Sequence, residues 1–193
     1  MKILLTPPAL LVLDVQKGFD DPFWGDRNNP QAEDILKLLT EWRKRGWEVI
    51  YSQHLSLLPK SPFNYQNRTG VEFKEIIKPL PQEVVFQKNI NSAFIGTELE
   101  SYLRDKLITS VMITGLSTQH CVSTTTRMSG NLGFETFLVE DATAAFEITD
   151  HNGTTHTPED VHKYEIAALH KEFATIVDTN EVLAQIQQLN PNP

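Results

Sequence analysis

Cysteine is nearly absent. Among 193 residues there is one, Cys121. A single cysteine excludes an intrachain disulfide, so nothing points to secretion. Positive charge is also scarce: 17 Lys and Arg stand against 25 Asp and Glu, for a formal net charge of −8. With no basic run in the chain, nucleic acid and anionic membrane surfaces are poor partners. No apolar stretch is long enough to span a bilayer. The N-terminal run MKILLTPPALLVLDVQ is broken by Pro7 and Pro8 and lacks a small-residue cleavage site, so it reads as a first strand and not a signal peptide. A soluble, cytoplasmic protein is the expectation. What remains is ordinary globular composition, 40% hydrophobic and 22% charged, in a chain long enough for one domain with a proper core.

Apolar runs alternate with amphipathic stretches. ALLVLDV (9–15) is a continuous apolar run, as in a strand buried on both faces of a parallel sheet. PQAEDILKLLTEWRKRG (30–46) has Ile35, Leu38, Leu39 and Trp42 at helical spacing and ends in basic residues and Gly46, which predicts a helix. Further strands are expected at 47–54, 83–88, 110–116, 135–143 and 174–179, and further helices at 98–108, from Cys121 onward, at 155–173 and at 180–189. Residues 55–82 are rich in Pro, Asn and Gly, with only 70–78 suggesting a helical turn; so long a loop is usually functional. Residues 191–193 read as a frayed tail. The alternation implies βαβ units and a six-stranded, mainly parallel sheet covered on both faces.

Sites in such sheets collect at the carboxyl ends of the strands. Three reactive residues fall there: Asp14 after the first strand, Lys88 ending the third, and Cys121 after the fourth through the turn ITGLSTQHC. Together they make a nucleophile constellation in which the thiol attacks, the carboxylate takes its proton and the lysine supports both charges. A helix N-terminus lowers a thiol pKa, so Cys121 is expected to favour thiolate, and Asp14→Asn to raise its pKa. The alternatives are a turn-capping Asp14, a solvated Lys88 and an inert buried Cys121.

These residues resemble the isochorismatase-like cysteine hydrolases, which include nicotinamidases and related amidases. LLVLDVQKGF is similar to the family's first-strand motif with Asp14 as the acid. VFQKNINSAFIGTELESYLR is similar to its lysine segment with Lys88, and GLSTQHCVSTTTRMSGNLGFETFLVEDATAAF to its nucleophile segment with Cys121. The resemblance covers nearly the whole chain, 1–193, as a single hydrolase domain. It implies a three-layer α/β/α, Rossmann-like fold. It also implies acyl transfer at a C–N bond of a small amide through a Cys121 thioester. Backbone N–H groups of the Ser117, Thr118 and Cys121 turn would form the oxyanion hole, and the Leu116–Ser117 peptide would be cis.

The chain also departs from the family. Nicotinamidases carry an Asp-x-His-x-x-x-His type metal site after the second strand. Here Ser52 replaces the Asp, His54 stands alone, and no second His follows. No metal and no cofactor are therefore expected, and His54 is expected to line or cover the cleft. Isochorismatases commonly lack the cysteine, so its presence favours an amide over the vinyl ether; a vinyl-ether hydrolase and a non-catalytic small-molecule-binding domain are the competing readings. Phe19, Phe23, Trp24 and Phe63 are candidate pocket walls, with Asn91, Ser92 and Phe94 as floor or wall, and His120 at the rim because neighbours on a helix do not share a face. Thr118 is expected to bond locally and order its turn. His151, His156, His162 and His170 read as surface or interface, and 144–162 as a cover for the site or for a neighbouring subunit. The resemblance implies a homo-oligomer, a dimer or tetramer.

Overall fold

A computed structural model describes residues 7–29 and 32–188; the expected tail at 191–193 and the outer ends of the first and last predicted helices lie outside them. Six strands form one sheet: β1 (Ala9–Leu13), β2 (Val49–His54), β3 (Val84–Lys88), β4 (Ser110–Leu116), β5 (Glu135–Ala144) and, after a separate small hairpin, β8 (Thr175–Val177). Their order is β3-β2-β1-β4-β5-β8, and every pairing is parallel. The expected parallel sheet with helices on both faces is present.

Side-chain alternation along β1 explains the layers. Leu10 and Val12 face a core filled by Ile35, Leu38, Leu39 and Trp42 of α1 (Ala32–Arg45) and by Val182 and Ile186 of α6 (Thr179–Gln188). Ala9, Leu11 and Leu13 face the opposite core with Leu99 and Leu103 of α3 (Leu99–Asp105), Val122, and Ile166 and Leu169 of α5 (Pro158–Leu169). A strand buried on both sides has no polar face, hence the unbroken apolar run. Trp42 keeps its indole N–H satisfied by donating to the Pro8 carbonyl at 2.9 Å.

The remaining elements are short. α2 (Arg68–Val71) and a 3₁₀ turn at 75–77 account for the helical signal at 70–78. Residues 155–156, expected to open a helix, instead form β7 (Thr155–His156), which pairs antiparallel with β6 (Ile148–Thr149). Thr157 caps α5 by accepting from the Asp160 N–H. Cys121, expected at an α-helix start, lies in a π-helical turn, Thr118–Val122, that runs into α4 (Ser123–Asn131). Among the described residues no helix is long and apolar enough to cross a membrane.

The chain places β2 and β3 on one side of β1, then crosses back to set β4 on the other. That reversal makes the carboxyl ends of β1 and β4 the switch point of the sheet, where ligand crevices form. The two strands come very close there. A Cβ at Gly115 would lie 2.1 Å from the Leu13 carbonyl oxygen, and Gly115 has φ +116°, so only glycine fits.

Candidate active site

Asp14 follows β1 directly and has φ +53°, a left-handed conformation that Asp tolerates better than most residues. Its N–H donates to the Ser52 carbonyl at 3.1 Å. The side chain is fully buried. Oδ1 accepts from Ser52 Oγ at 2.6 Å and Oδ2 meets Lys88 Nζ at 2.6 Å. Ser52 faces Leu13 across the β1–β2 register, which is why its hydroxyl reaches the next residue's carboxylate.

Lys88 ends β3 opposite His54. Its ammonium has four neighbours: Asp14 Oδ2, the Ile90 carbonyl at 3.1 Å, Cys121 Sγ at 3.3 Å and His54 Nδ1 at 3.3 Å. Burial pulls the Lys88 pKa down, but the Asp14 carboxylate and the contact with Cys121 Sγ overturn this and the net shift is upward, so Lys88 stays an ammonium.

Cys121 is 6% exposed. Burial first, then the Asp14 charge, push its thiol up, against the opposing pull of Lys88. The expected thiolate is therefore not the resting state. Desolvation is the largest cause, and Asp14 raises the thiol pKa rather than lowering it as expected. The Leu116–Ser117 peptide is cis, as the resemblance implied. The Ser117 carbonyl accepts from both the His120 and Val122 N–H groups, at 3.0 and 3.2 Å.

Asp14, His54, Ser117, His120 and Cys121 line a cavity of about 430 Å³ together with Phe19, Phe23, Trp24, Phe63 and Asn91. Lys88 is not among its lining residues; it meets the site through Asp14, His54 and Cys121. The rings pack on one another: Phe19 lies 4.9 Å from Trp24 and 4.6 Å from Phe63 between centroids. Phe146 backs them, stacked 5.4 Å from Phe19. His120 reaches the cavity together with its neighbour Cys121, because a π-helical turn carries successive side chains through a smaller angle than an α-helix does.

Other expectations differ. Phe94 is not among the lining residues; it stacks on Phe134 at 5.8 Å in the core beneath α3. Thr118 bonds not locally but across to His162 Nδ1 of α5, at 3.0 Å. None of 144–162 lines the cavity; Phe146 and Gln119, whose Nε2 donates to the Phe146 carbonyl at 3.3 Å, tie that segment to the back of the site.

Several lining residues carried no individual signal: Ser56, Leu58, Lys60, Ser61 and Pro62. They belong to the long loop whose length alone marked it. The loop closes on itself, with the Ser56 N–H donating to the Phe63 carbonyl at 2.8 Å, the Tyr65 N–H to the Ser56 carbonyl at 3.1 Å, and Asn64 Nδ2 to the Leu58 carbonyl at 3.0 Å. Gln16 was also missed. Its side chain bonds the His54 N–H and carbonyl at 2.7 and 3.0 Å.

Asp14, His54 and Cys121 bring ligand atoms within 4.8 Å of one another. The Lys88 ammonium stands among all three. A tethered cation occupies the place a metal ion would take, and one resident positive charge repels a second. The donor set does not fit a metal while Lys88 is there.

Comparison with known proteins gives the family and the fold. The Isochorismatase domain family matches residues 8–181. An uncharacterized isochorismatase family protein of Bacillus subtilis (strain 168), YrdC, is 54% identical over 176 residues, 91% of this chain and 94% of that one. Ureidoacrylate amidohydrolase RutB of Pantoea ananatis (strain LMG 20103) is 31% identical over 137 residues, 70% of this chain and 50% of that one. An isochorismatase-family structure from Chromobacterium violaceum ATCC 12472 superposes with a TM-score of 0.89 at 39% identity, covering 94% of each chain.

Proposed function

The chain belongs to the isochorismatase family of hydrolases, and on that footing we propose that it hydrolyses the C–N bond of a small amide through a Cys121 thioester. One observation carries the reading: Asp14 and Cys121 line an aromatic cavity, and a buried ammonium behind them, Lys88, lies 2.6 Å from the carboxylate and 3.3 Å from the thiol. A relative named for amidohydrolase activity supports it.

At rest the thiol keeps its proton. Substrate enters over the aromatic wall with its carbonyl carbon toward Sγ. Asp14 takes the thiol proton as sulfur bonds to carbon, and Lys88 compensates the charge that moves onto sulfur. The carbonyl oxygen becomes an oxyanion. His120 and Val122 have already spent their N–H groups on the Ser117 carbonyl, which leaves the N–H groups of Ser117, Thr118 and Cys121 as the turn's donors for it. The proton on Asp14 passes to the nitrogen, the C–N bond breaks and the amine leaves. Water then gives a proton to Asp14 and attacks the thioester. The acid departs, and the proton returns to sulfur.

The test is a panel of small primary amides and ureides scored for amine or ammonia release, with intact mass spectrometry to catch the acyl-enzyme. An acyl adduct on Cys121, lost in Cys121→Ala, is the expected result. Hydrolysis that survives Cys121→Ala defeats the proposal.

A further inference from the structure

His54 touches Lys88 and also faces the cavity. Its backbone is held by the fully buried Gln16 on both the N–H and the carbonyl side. Its ring meets Phe63 at right angles, centroids 6.0 Å apart. Nδ1 lies 3.3 Å from Lys88 Nζ. An ammonium has protons to give and no lone pair, so it only donates. A hydrogen bond between the two needs the lone pair on Nδ1, which leaves the ring proton on Nε2. Burial and the Lys88 charge keep the ring neutral, against smaller opposing effects of Asp14 and the Ile90 carbonyl. That carbonyl already accepts from Lys88. Beyond Lys88 and the Ile90 carbonyl, the ring has no hydrogen-bond partner among the described residues.

We propose that His54 holds an Nε2–H donor in the cavity for an acceptor atom of the substrate, so that the site selects small amides bearing a second hydrogen-bond acceptor beyond the scissile carbonyl. Ureido, oxo and aza-substituted amides have that pattern. An unpaired donor among aromatic rings favours a ligand with a matching lone pair over its isostere without one. The choice of an amide rests on the function proposed above; the tautomer and the donor do not. His54 acts here on specificity and positioning, while Asp14 and Cys121 carry the bond changes.

Two measurements on the full chain test this. The first is the ¹⁵N spectrum of the imidazoles in the free protein, with His54 assigned by its loss in His54→Gln. An Nε2–H tautomer is expected, and an Nδ1–H tautomer overturns the assignment. The second is binding of benzamide and its three ring-aza isomers to the Cys121→Ala protein, where no turnover intervenes. One isomer should bind about tenfold tighter than benzamide. Adding His54→Phe should erase that preference, and adding His54→Gln, whose side chain still donates, should keep part of it. Equal or undetectable binding of all four, or a preference that survives His54→Phe, overturns the proposal. A preserved preference in a protein that hydrolyses no amide leaves the His54 donor standing and defeats the amidohydrolase reading instead.

Discussion

Ser52 Oγ donates to Asp14 Oδ1 at 2.6 Å, and both side chains are shut off from solvent. The contact leaves the other carboxylate oxygen to Lys88 and fixes the plane in which Asp14 meets the thiol. Ser52→Ala removes a hydrogen bond to a charged group, a loss of about 1.5–3 kcal/mol. Lys88→Ala leaves the buried carboxylate unpaired, which costs about 3–5 kcal/mol and lowers Tm by roughly 10 °C. Thermal melts of the two variants should show Lys88→Ala as clearly the less stable. A Lys88→Ala protein as stable as wild type would overturn the Asp14–Lys88 pairing as a stabilising contact.

Iodoacetamide should modify Cys121 slowly at neutral pH, because burial and Asp14 hold the thiol protonated. Asp14→Asn removes the negative neighbour while Lys88 remains, so the thiol pKa falls and alkylation at a given pH becomes faster, while turnover drops by at least about 10² for want of the base. Adduct formation against pH, read by intact mass, separates the two effects. Slower alkylation in Asp14→Asn would reverse the sign assigned to that charge.

Stability should fall on the alkaline side. The Cys121 pKa is raised in the folded protein, while an unfolded thiol ionises near about 8.5. Its contribution is therefore complete below that pH and is lost as pH rises above it. Tyr51, raised mainly by burial, adds a loss of the same sign from about pH 10. Urea midpoints at pH 8 and pH 10 should fall less in Cys121→Ala than in wild type.

The acid side carries the opposite sign. Burial lowers the pKa of His54, His120 and His162. Unfolded histidine takes its proton near about pH 6.5, so stability held above that pH is lost as pH falls through it toward the lower folded values. Melting temperatures between pH 7.5 and 5.5 should decline, with a shallower slope in His162→Asn. An unchanged slope would show that the ring protonates without resistance.

Chelation should leave the protein as it is. With Lys88 standing among Asp14, His54 and Cys121, EDTA should change neither Tm nor turnover, and added Zn²⁺ should not raise Tm as a native-state ligand would. A Zn²⁺-dependent rise in Tm that vanishes in His54→Phe would put a metal where the lysine now stands.

Much of this architecture was legible in advance, for identifiable reasons. β4 matches its expected span, 110–116, because a strand buried on both faces leaves an uninterrupted apolar run. The stripe Ile35, Leu38, Leu39 and Trp42 is fully buried because a helical period has one core face. Asp14, Lys88 and Cys121 meet because a parallel sheet gathers its strand ends. The π-helical turn was not legible: QHCVSTTTR has no apolar period that separates π from α. The β6–β7 hairpin has two residues per strand, too few for alternation to register. Phe94 follows the Lys88 segment as a wall residue would, but whether an aromatic turns toward a cleft or toward Phe134 is decided by packing between distant segments. The Ser52 bond depends on a register across 38 residues, which no local pattern encodes.

The loop from Ser56 to Tyr65 ties its own ends together and supplies one wall of the cavity, while the reactive groups come from the sheet and the turn after it. One wall of the cavity is thus housed apart from the reactive groups. That separation makes the loop an exchangeable cassette: grafting a different sequence between the Ser56 and Tyr65 anchors would retune which substrate is accepted without disturbing the thiol, the acid or the ammonium. Sequence drift among related enzymes should accordingly run fastest between those two anchors.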